Sequence, residues 1–500
     1  MPIQIKREPT GSFTVSKVTW EDALVGVTVE DGTGTNPRAS FVGKTINSML
    51  FFRNRLVMLS DENVIMSQPG DFFNFWAKSA ITYGNTDMID ISCSSEYPAI
   101  VYDGIQVNSG LVLFTKNQQF MLTTDSDLLN PLTAKINSLS TYNFNFKTNP
   151  FSLGTTIGFL DNAGKYNRFW EMTAVLREGD PNVIEQSKTI SKSFPNDIDM
   201  VANSRENQVV FFGKKGTSTV YGFRYHTDAA SRIQQAWFEW ELRGTIQHIC
   251  MLDDALYVVL KNQEGTEYKY HIEKYAIKSD DPFVIIDTDN VTTFNVHLDK
   301  SFKINSSDVS GQTYTQLKLN GTNTGIEHFY NSDTDLVAYV TSGDYKGNRY
   351  TTTRNTSNLQ INSLPNDGNV GDIILGYEFE TEVELPKIYL QQKAGDSFRS
   401  DIQSSLTVQR LKLNFGDLGT CTTTLNREVK GALTTTHTAK PITSSVTTRP
   451  FIESEETLTI PVYEKNKNVT ITIKSKHPSP STLHSMNWEG DYTNKYYQRV

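Results

Sequence analysis

A repeated pair of apolar segments is the feature that most limits how the first half of this chain can fold. Five times, a short apolar segment is followed by a polar turn and a second segment rich in aromatic residues. The leading segments are residues 55–59 (RLVML), 111–114 (LVLF), 156–160 (TIGFL), 208–212 (QVVFF) and 256–260 (LYVVL). The second segments are residues 64–66, 119–122, 166–170, 219–223 and 268–275. The leading segments begin roughly 45 to 55 residues apart, the length of a four-stranded sheet with its connections.

A repeat of this size predicts a series of packed sheets. A single four-stranded sheet cannot cover its own faces, so neighbouring sheets have to pack on each other. Repetition around an axis also leaves only short sheet edges, and the result is a β-propeller. Because the five copies are divergent, a β-sandwich or barrel with regular hairpins remains the alternative.

The rest of the chain also favours strands. Aromatic residues make up 11% of the sequence, and no stretch shows sustained helical periodicity. Residues 71–76 (DFFNFW) are the one place where a capped turn of helix is expected. After residue 290 the sequence becomes polar, with the short alternating runs typical of half-buried strands. We therefore predict an all-β chain, with a β-propeller-like domain followed by additional antiparallel β-domains.

The predicted domain organisation has four parts. Residues 1–40 are an N-terminal extended or docking segment, and residues 41–290 are the β-propeller-like domain. Residues 291–375 form a small antiparallel β-domain, and residues 376–500 form a C-terminal β-domain. The last boundary follows from the turn residues at 365–368 (PNDG).

Charge and targeting signals limit the possible functions. The net charge is −9, which argues against a conventional nucleic-acid binder because such proteins gain affinity from basic patches. An acidic wall is compatible with DNA that slides past it without being held. We expect a soluble chain made in the cytoplasm, because the N-terminus lacks the apolar core of a secretory signal. The three cysteines have no paired spacing and are expected to be free, mostly buried thiols.

The sequence contains few candidates for chemistry. Glu239 and Glu241 are expected on one strand face beside aromatic residues, an arrangement that has some similarity to a glycosidase pair. Hydrolysis needs two acids on opposite sides of a bond, so this pair more often faces water, and the neighbouring tryptophans are expected to fill space between sheets. Acidic turns at 287–290 and 333–335 lack the spacing of a calcium loop. We predict no catalytic residue, no cofactor and no metal.

Arg53 and Arg55 are the candidate contact residues. They flank Asn54 on a predicted strand, where a period of two places both side chains on one face. Arginine binds carboxylates and phosphates in a bidentate manner, so the pair is a candidate contact for a neighbouring subunit or for DNA, with the subunit favoured. The structural alternative, a solvated face or an intrachain ion pair, is preferred over either contact.

Several segments resemble a known family. Residues 39–56 (ASFVGKTINSMLFFRNRL), 59–67 (LSDENVIMS) and 71–76 (DFFNFW) resemble the central motif of the tail tubular protein B family, the nozzle proteins of short-tailed phages (podoviruses). Residues 486–490 (MNWEG) and 495–499 (KYYQR) resemble the end of that family. Between these segments the resemblance is diffuse but collinear.

The resemblance implies a structural, non-enzymatic subunit that forms and gates the channel for genome ejection. It implies a homo-oligomeric ring of six copies in the virion tail, after synthesis in the host bacterial cytoplasm. Implied partners are an adaptor ring similar to tail tubular protein A, tail fibres, the host envelope at the distal tip, and phage DNA that passes without sequence-specific binding. Family members usually carry a large additional N-terminal region, so part of the adaptor-docking surface is expected outside this sequence.

Two other functions remain as alternatives. A propeller-type tail protein that binds or degrades host polysaccharide is the first. A receptor-binding fibre or spike is the second, although the heptads or β-helical repeats typical of such trimers are not visible in the sequence.

Overall fold

The computed structural model is built almost entirely from antiparallel strands. It describes residues 2–26, 34–95, 98–124, 128–173, 180–228, 231–264, 267–277, 285–287, 293–304, 317–318, 336–345, 348–354, 358–365, 369–394, 397–402, 404–438 and 455–493. Contacts divide the chain into two compact units, Met1–Lys278 and Ser279–Val500. Helical structure in the described residues is confined to the 3-10 turns Ser187–Ile190 and Asn466–Asn468. The all-β prediction is therefore confirmed.

The first unit begins with a two-stranded hairpin, β1 (Ile3–Arg7) paired with β2 (Phe13–Lys17). Every residue of both strands is exposed. One face carries four large apolar side chains that are 62–67% exposed, namely Ile3, Ile5, Phe13 and Val15. The hairpin is therefore an arm with one apolar face.

Five antiparallel sheets follow, each with its strands in chain order. Sheet 1 contains β3 (Ser48–Phe52), β4 (Arg55–Ser60), β5 (Asn63–Met66) and β6 (Ile89–Ser92). Sheet 2 contains β7 (Val101–Val107), β8 (Gly110–Thr115), β9 (Gln119–Thr124) and β10 (Ala134–Ser140). Sheet 3 contains β11 (Phe151–Ser152), β12 (Ile157–Asp161), β13 (Arg168–Thr173) and β14 (Asn182–Glu185). Sheet 4 contains β15 (Met200–Ser204), β16 (Val209–Gly213), β17 (Thr219–Asp228) and β18 (Ser231–Glu241), and sheet 5 contains β19 (Thr245–Leu252), β20 (Ala255–Glu264) and β21 (Glu267–Ala276).

Each of these sheets packs against the next one along the chain. The core between sheets 1 and 2 includes Val57, Leu59, Leu113 and Leu122. The core between sheets 2 and 3 includes Val112, Phe114, Phe159 and Met172. The core between sheets 3 and 4 includes Leu160, Phe169, Val210 and Phe212, and the core between sheets 4 and 5 includes Val209, Phe211, Ile249 and Val258. This face-to-face order is the packing that the repeat predicts, and closure of the stack around an axis stays a prediction.

The central strands of the stack explain the repeat seen in the sequence. β8 and β16 are buried along their whole length because another sheet covers each of their faces. Strands covered on both faces are continuous apolar runs, without the alternation of half-buried strands. Neighbouring residues of one strand, such as Phe211 and Phe212, therefore belong to two different cores.

The second unit begins with a short ribbon and a six-stranded sheet. The ribbon pairs β22 (Ile285–Asp287) with β23 (Thr293–Asn295). The sheet, sheet 6, contains β24 (Asp299–Ile304), β25 (Leu317–Lys318), β26 (Leu336–Val340), β27 (Arg349–Arg354), β28 (Asn358–Ile361) and β29 (Ile373–Tyr377). Its strand order is β24-β29-β26-β27-β28-β25. Ala338, Val340 and Leu375 lie in its core.

The remainder of the second unit is a two-sheet sandwich. Its strands are β30 (Thr381–Glu384), β31 (Gln391–Ala394), β32 (Ser397–Ser400), β33 (Ser405–Leu418), β34 (Thr420–Arg427), β35 (Gly431–Thr438), β36 (Glu456–Lys465), β37 (Val469–Ser475) and β38 (Ser481–Thr493). Sheet 7 has the order β30-β37-β34-β35, sheet 8 has the order β36-β33-β38, and β31 and β32 form a hairpin. Leu411 and Leu413 of sheet 8 share one core with Ile471 and Ile473 of sheet 7.

The helix predicted at residues 71–76 is wrong. These residues form turns, and Phe75 is buried with Phe41 and Trp20 against sheet 1. The aromatic residues therefore make a tertiary contact and do not form a helix face.

The domain boundaries predicted at residues 40, 290 and 375 stay predictions. Residues 288–290, 333–335 and 494–500, which include parts of the acidic turns and the C-terminal segment, lie outside the described residues.

Candidate functional site

Arg53 lies in a hairpin turn and not in a strand. Arg53 and Asn54 connect β3 to β4 with φ values of 46° and 61°, as the tight turn of a two-residue hairpin requires. Phe52 pairs directly with Arg55 across this turn. The prediction that Arg53 and Arg55 share one strand face is therefore wrong. The exposed Arg53 guanidinium lies 5.7 Å from the ring centroid of Phe52.

Arg55 is buried and bonded within the chain. Only 2% of the surface of this residue is exposed. Nη1 donates to the carbonyl oxygens of Ser67 at 2.7 Å and Asp87 at 2.6 Å. Nη2 donates to those of Asn85 at 3.3 Å and Leu129 at 3.4 Å. Burial lowers the pKa of Arg55, and the nearby Asp87 partly offsets this effect. Arg55 thus ties sheet 1 to surrounding loops, which is the structural role preferred from the sequence.

The segment that carries the family resemblance builds sheet 1 and its cover. Met58 and Ile65 project from the face of sheet 1 that does not pack on sheet 2, and Phe75 covers them. The Phe41 ring meets the Phe75 ring edge-on with centroids 5.1 Å apart. Trp76 Nε1 donates to the backbone carbonyl oxygen of Glu21 at 2.7 Å, which connects the turn after this aromatic cluster to the segment that follows the arm. The aromatic motif at residues 71–76 is therefore explained by the packing of its side chains on sheet 1.

Glu239 and Glu241 lie on the exposed edge of sheet 4. Both are exposed on β18, whereas Phe238 and Trp240 pack into the core between sheets 4 and 5. Trp237 packs into the core between sheets 3 and 4. The prediction that the tryptophans fill space between sheets is therefore confirmed. The described residues contain no group of three His, Cys, Asp or Glu side chains arranged to hold a metal.

One ion pair with a buried carboxylate was not predicted from the sequence. Arg232 of β18 binds Glu171 of β13 with both terminal nitrogens, and the Nη2–Oε1 distance is 2.8 Å. Thr156 and Gln186 also donate to this carboxylate, at 2.6 and 2.7 Å. The Arg232 guanidinium lies 4.8 Å from the ring centroid of Tyr225. This contact joins sheets 3 and 4, and nothing in the local sequence pattern marks it.

The N-terminal arm is the clearest contact surface of the first unit. Arg7 and Lys17 lie on the same face as its four exposed apolar side chains. A two-stranded hairpin is at best marginally stable in water without packing on another element. The arm therefore has the properties of a docking element. No helix among the described residues is long and apolar enough to cross a membrane.

Comparison with known proteins identifies the family. A family model described as "Bacteriophage nozzle protein" matches residues 1–499. The chain belongs to the bacteriophage nozzle protein family, whose members are components of the virion tail. It is 23% identical over 522 residues to "Tail tubular protein gp12" of Escherichia phage T7, and the match covers 98% of this chain and 60% of that protein. The chain thus spans less than two thirds of this curated relative.

Similarity to solved structures is weaker. A luciferin-regenerating enzyme matches with a TM-score of 0.28 and 9% identity, covering 66% of this chain and 91% of the enzyme. Kluyveromyces lactis Hsv2 matches with a TM-score of 0.29 and 13% identity, covering 63% of this chain and 84% of Hsv2. At these scores the matches carry no argument about fold or function.

Proposed function

We propose that this chain is a non-enzymatic wall subunit of the tail nozzle, which forms and gates the channel for genome ejection. The observation that carries this proposal is the family match over residues 1–499. The packed sheets of the first unit support it, because strands buried on both faces make a rigid wall. The net charge of −9 also supports it, since an acidic lumen lets DNA slide without holding the phosphates.

We propose that the subunit works as a ring of six copies in the virion. The ring stacks on an adaptor ring similar to tail tubular protein A, carries tail fibres at that joint, and meets the host envelope at its distal tip. Residues 1–40 act as a docking segment, which the exposed apolar face of the arm supports. Arg53 is the proposed subunit or DNA contact, because its side chain is exposed at a turn.

Gating in this proposal is mechanical. Loops or β-domains constrict the lumen before infection, and adsorption shifts their packing so that DNA can pass. The passage of DNA through the channel needs no bond-breaking step, which agrees with the exposed positions of Glu239 and Glu241 on one strand.

Purified chain incubated with host capsule or lipopolysaccharide should leave the polysaccharide length unchanged. Chain shortening that is lost in Glu239→Gln or Glu241→Gln would favour the polysaccharide-degrading alternative.

The functional test is a phage particle that lacks this chain. Phage should be grown without it, with and without complementation, and DNA delivery to host cells should be measured. We expect particles without the chain to retain packaged DNA poorly or to fail in delivery, and complementation to restore both properties. Normal tails and normal delivery without the chain would contradict the proposed function.

A further inference from the structure

Within the described part of the chain, β35 is one of the two outer strands of sheet 7. β35 pairs with β34 along its whole length, from Gly431 opposite Arg427 to Thr438 opposite Thr420. Among the residues that the structure describes, no strand pairs with the other edge of β35. Its sequence GALTTTHT contains neither Pro nor any Lys, Arg, Asp or Glu, and residues 431–436 are exposed. Such an edge offers a row of backbone donors and acceptors to another strand.

The other edges of the sandwich carry the features that prevent such pairing. β36 contains Pro461 and pairs with β33 across a register shift. β38 carries the exposed acidic residues Glu489 and Asp491. β30 is only four residues long and bears Glu382 and Glu384. Charge, proline, bulges and short length are the usual means by which proteins protect strand edges. The eight residues of β35 have none of these features, so its edge is suited to pairing with another strand.

The strand directions of sheet 7 fit a second copy of this chain. The sheet contains four antiparallel strands, so its two edges, β30 and β35, run in opposite directions. A neighbouring copy in the same orientation therefore offers its β30 antiparallel to β35. Because the two surfaces differ, the contact is heterologous and repeats from copy to copy, which is the kind of interface that can close into a ring.

Charge disfavours the pairing of two β30 edges. β30 carries Glu382 and Glu384, so two β30 edges would bring like charges together. β35 contains no Lys, Arg, Asp or Glu, so it can accept β30 without such repulsion.

We propose that β35 of one copy pairs with β30 of the next copy and continues sheet 7 across the subunit boundary. This inference rests on the proposed function, because it states how copies of the nozzle subunit join. It assigns the contact to backbone hydrogen bonds between the edge of β35 and the edge of β30.

An inward-pointing charge on the edge strand tests this pairing. Thr435 lies opposite the buried Thr423, on the core-facing side of sheet 7, and is itself exposed. Thr435→Lys is therefore tolerated in a single copy, whereas an inward-pointing charge at a sheet edge opposes the addition of another strand. In sedimentation velocity of the full chain, we expect it to lower the assembled fraction at least about tenfold. The control is Thr457→Lys on the protected edge strand β36, where the exposed residue faces the neutral Asn414; it should change that fraction less than about twofold. Circular dichroism and the unfolding midpoint should match the wild type for both variants.

Cysteine cross-linking tests the identity of the partner strand. Thr436 and Glu382 lie in the same row across sheet 7, so Thr436→Cys and Glu382→Cys in one chain should link neighbouring copies. The exposed Cys250 is first replaced by Ser. We expect a ladder of covalent oligomers on a non-reducing gel from the double variant. Covalent dimers from Thr436→Cys alone would show pairing of β35 with β35 and would overturn the proposal.

The outcomes separate this inference from the proposed function. If Thr435→Lys assembles like the wild type and the double variant gives no ladder, the edge inference is overturned. The proposed function then still stands on DNA delivery by complemented particles. If delivery does not depend on the chain, the proposed function fails whatever the cross-linking shows.

Discussion

The sheet stack of the first unit and the sandwich of the second unit solve the same packing problem in different ways. In the stack, strands such as β16 are buried on both faces and therefore have continuous apolar sequences. In the sandwich, β33 buries mainly alternate residues, because its other face is solvated. The stack thus places most of its strand surface in shared cores, whereas the sandwich retains accessible faces and edges.

This difference suggests a division of labour between rigidity and assembly. A sheet that shares cores with both neighbours transmits any local defect to them, so the stack should be sensitive to substitution. The sandwich has one core and open edges, so its surface can change with little effect on folding and a larger effect on association. The following predictions test this contrast, from the largest expected effect to the smallest.

Phe212→Ala should cause the largest loss of stability. Phe212 is fully buried, and its ring lies 5.4 Å from that of Phe169 and 5.2 Å from that of Phe194. We expect the free energy of unfolding of the first unit to fall by about 3–5 kcal/mol, measured by urea denaturation. Ile233→Ala, at a 62% exposed position of the same sheet, is the control. Equal losses in both variants would contradict the importance of the shared cores.

His477 should make the second unit sensitive to acid. The backbone N–H of Ser479 donates to its Nδ1 at 3.1 Å, which requires the neutral ring. Burial lowers the pKa of His477 to about 4 from its ordinary value of 6.5; Glu378 partly offsets this effect, and Arg349 lowers the pKa further. The unfolded chain takes up a proton near pH 6.5 and the folded unit only near pH 4, so stability falls as the pH drops through this range.

The total loss between these pH values should be roughly 3 kcal/mol. It is measured as the free energy of unfolding of the second unit at several pH values. His477→Gln removes the titrating group and should flatten the curve between pH 6.5 and 4. An unchanged slope in the variant would show that other groups cause the acid sensitivity.

Substitutions of Arg55 and Arg53 should change the free energy of unfolding by different amounts, although only one residue separates the two positions. Arg55→Met leaves four carbonyl groups without this donor, three of them buried, and we expect a loss of about 2–4 kcal/mol in the free energy of unfolding. Arg53→Met changes an exposed turn residue and should cost less than about 0.5 kcal/mol. If Arg53→Met lowers assembly without lowering stability, the proposed contact role of Arg53 is supported. Equal stability losses would contradict the buried role of Arg55.

The sequence was sufficient to predict the central strands of the stack. These strands are covered on both faces, so their apolar runs stand out from the polar turns around them. The outer strands, such as β10, mix exposed polar and buried apolar residues and gave no comparable signal. The paired central strands predicted at residues 208–212 and 219–223 correspond to β16 and β17, which confirms that part of the repeat.

The contact sites could be predicted less well, because they depend on turns and long-range contacts. The left-handed turn at Arg53 and Asn54 interrupts what otherwise reads as one strand, and Asn at this position was the available signal. Residues 71–76 have helix-like aromatic spacing, yet their packing on sheet 1 determines their conformation. The Arg232–Glu171 ion pair joins residues far apart in the chain, and no local pattern predicts such a partner.

A reconstruction of the intact tail by electron cryomicroscopy tests the central claim most directly. The account predicts this chain in a closed ring around the channel, with the sheets of the first unit in the wall and β35 of each copy beside β30 of its neighbour. A tail in which the chain stands alone, or is grouped in a peripheral spike away from the channel, would contradict it.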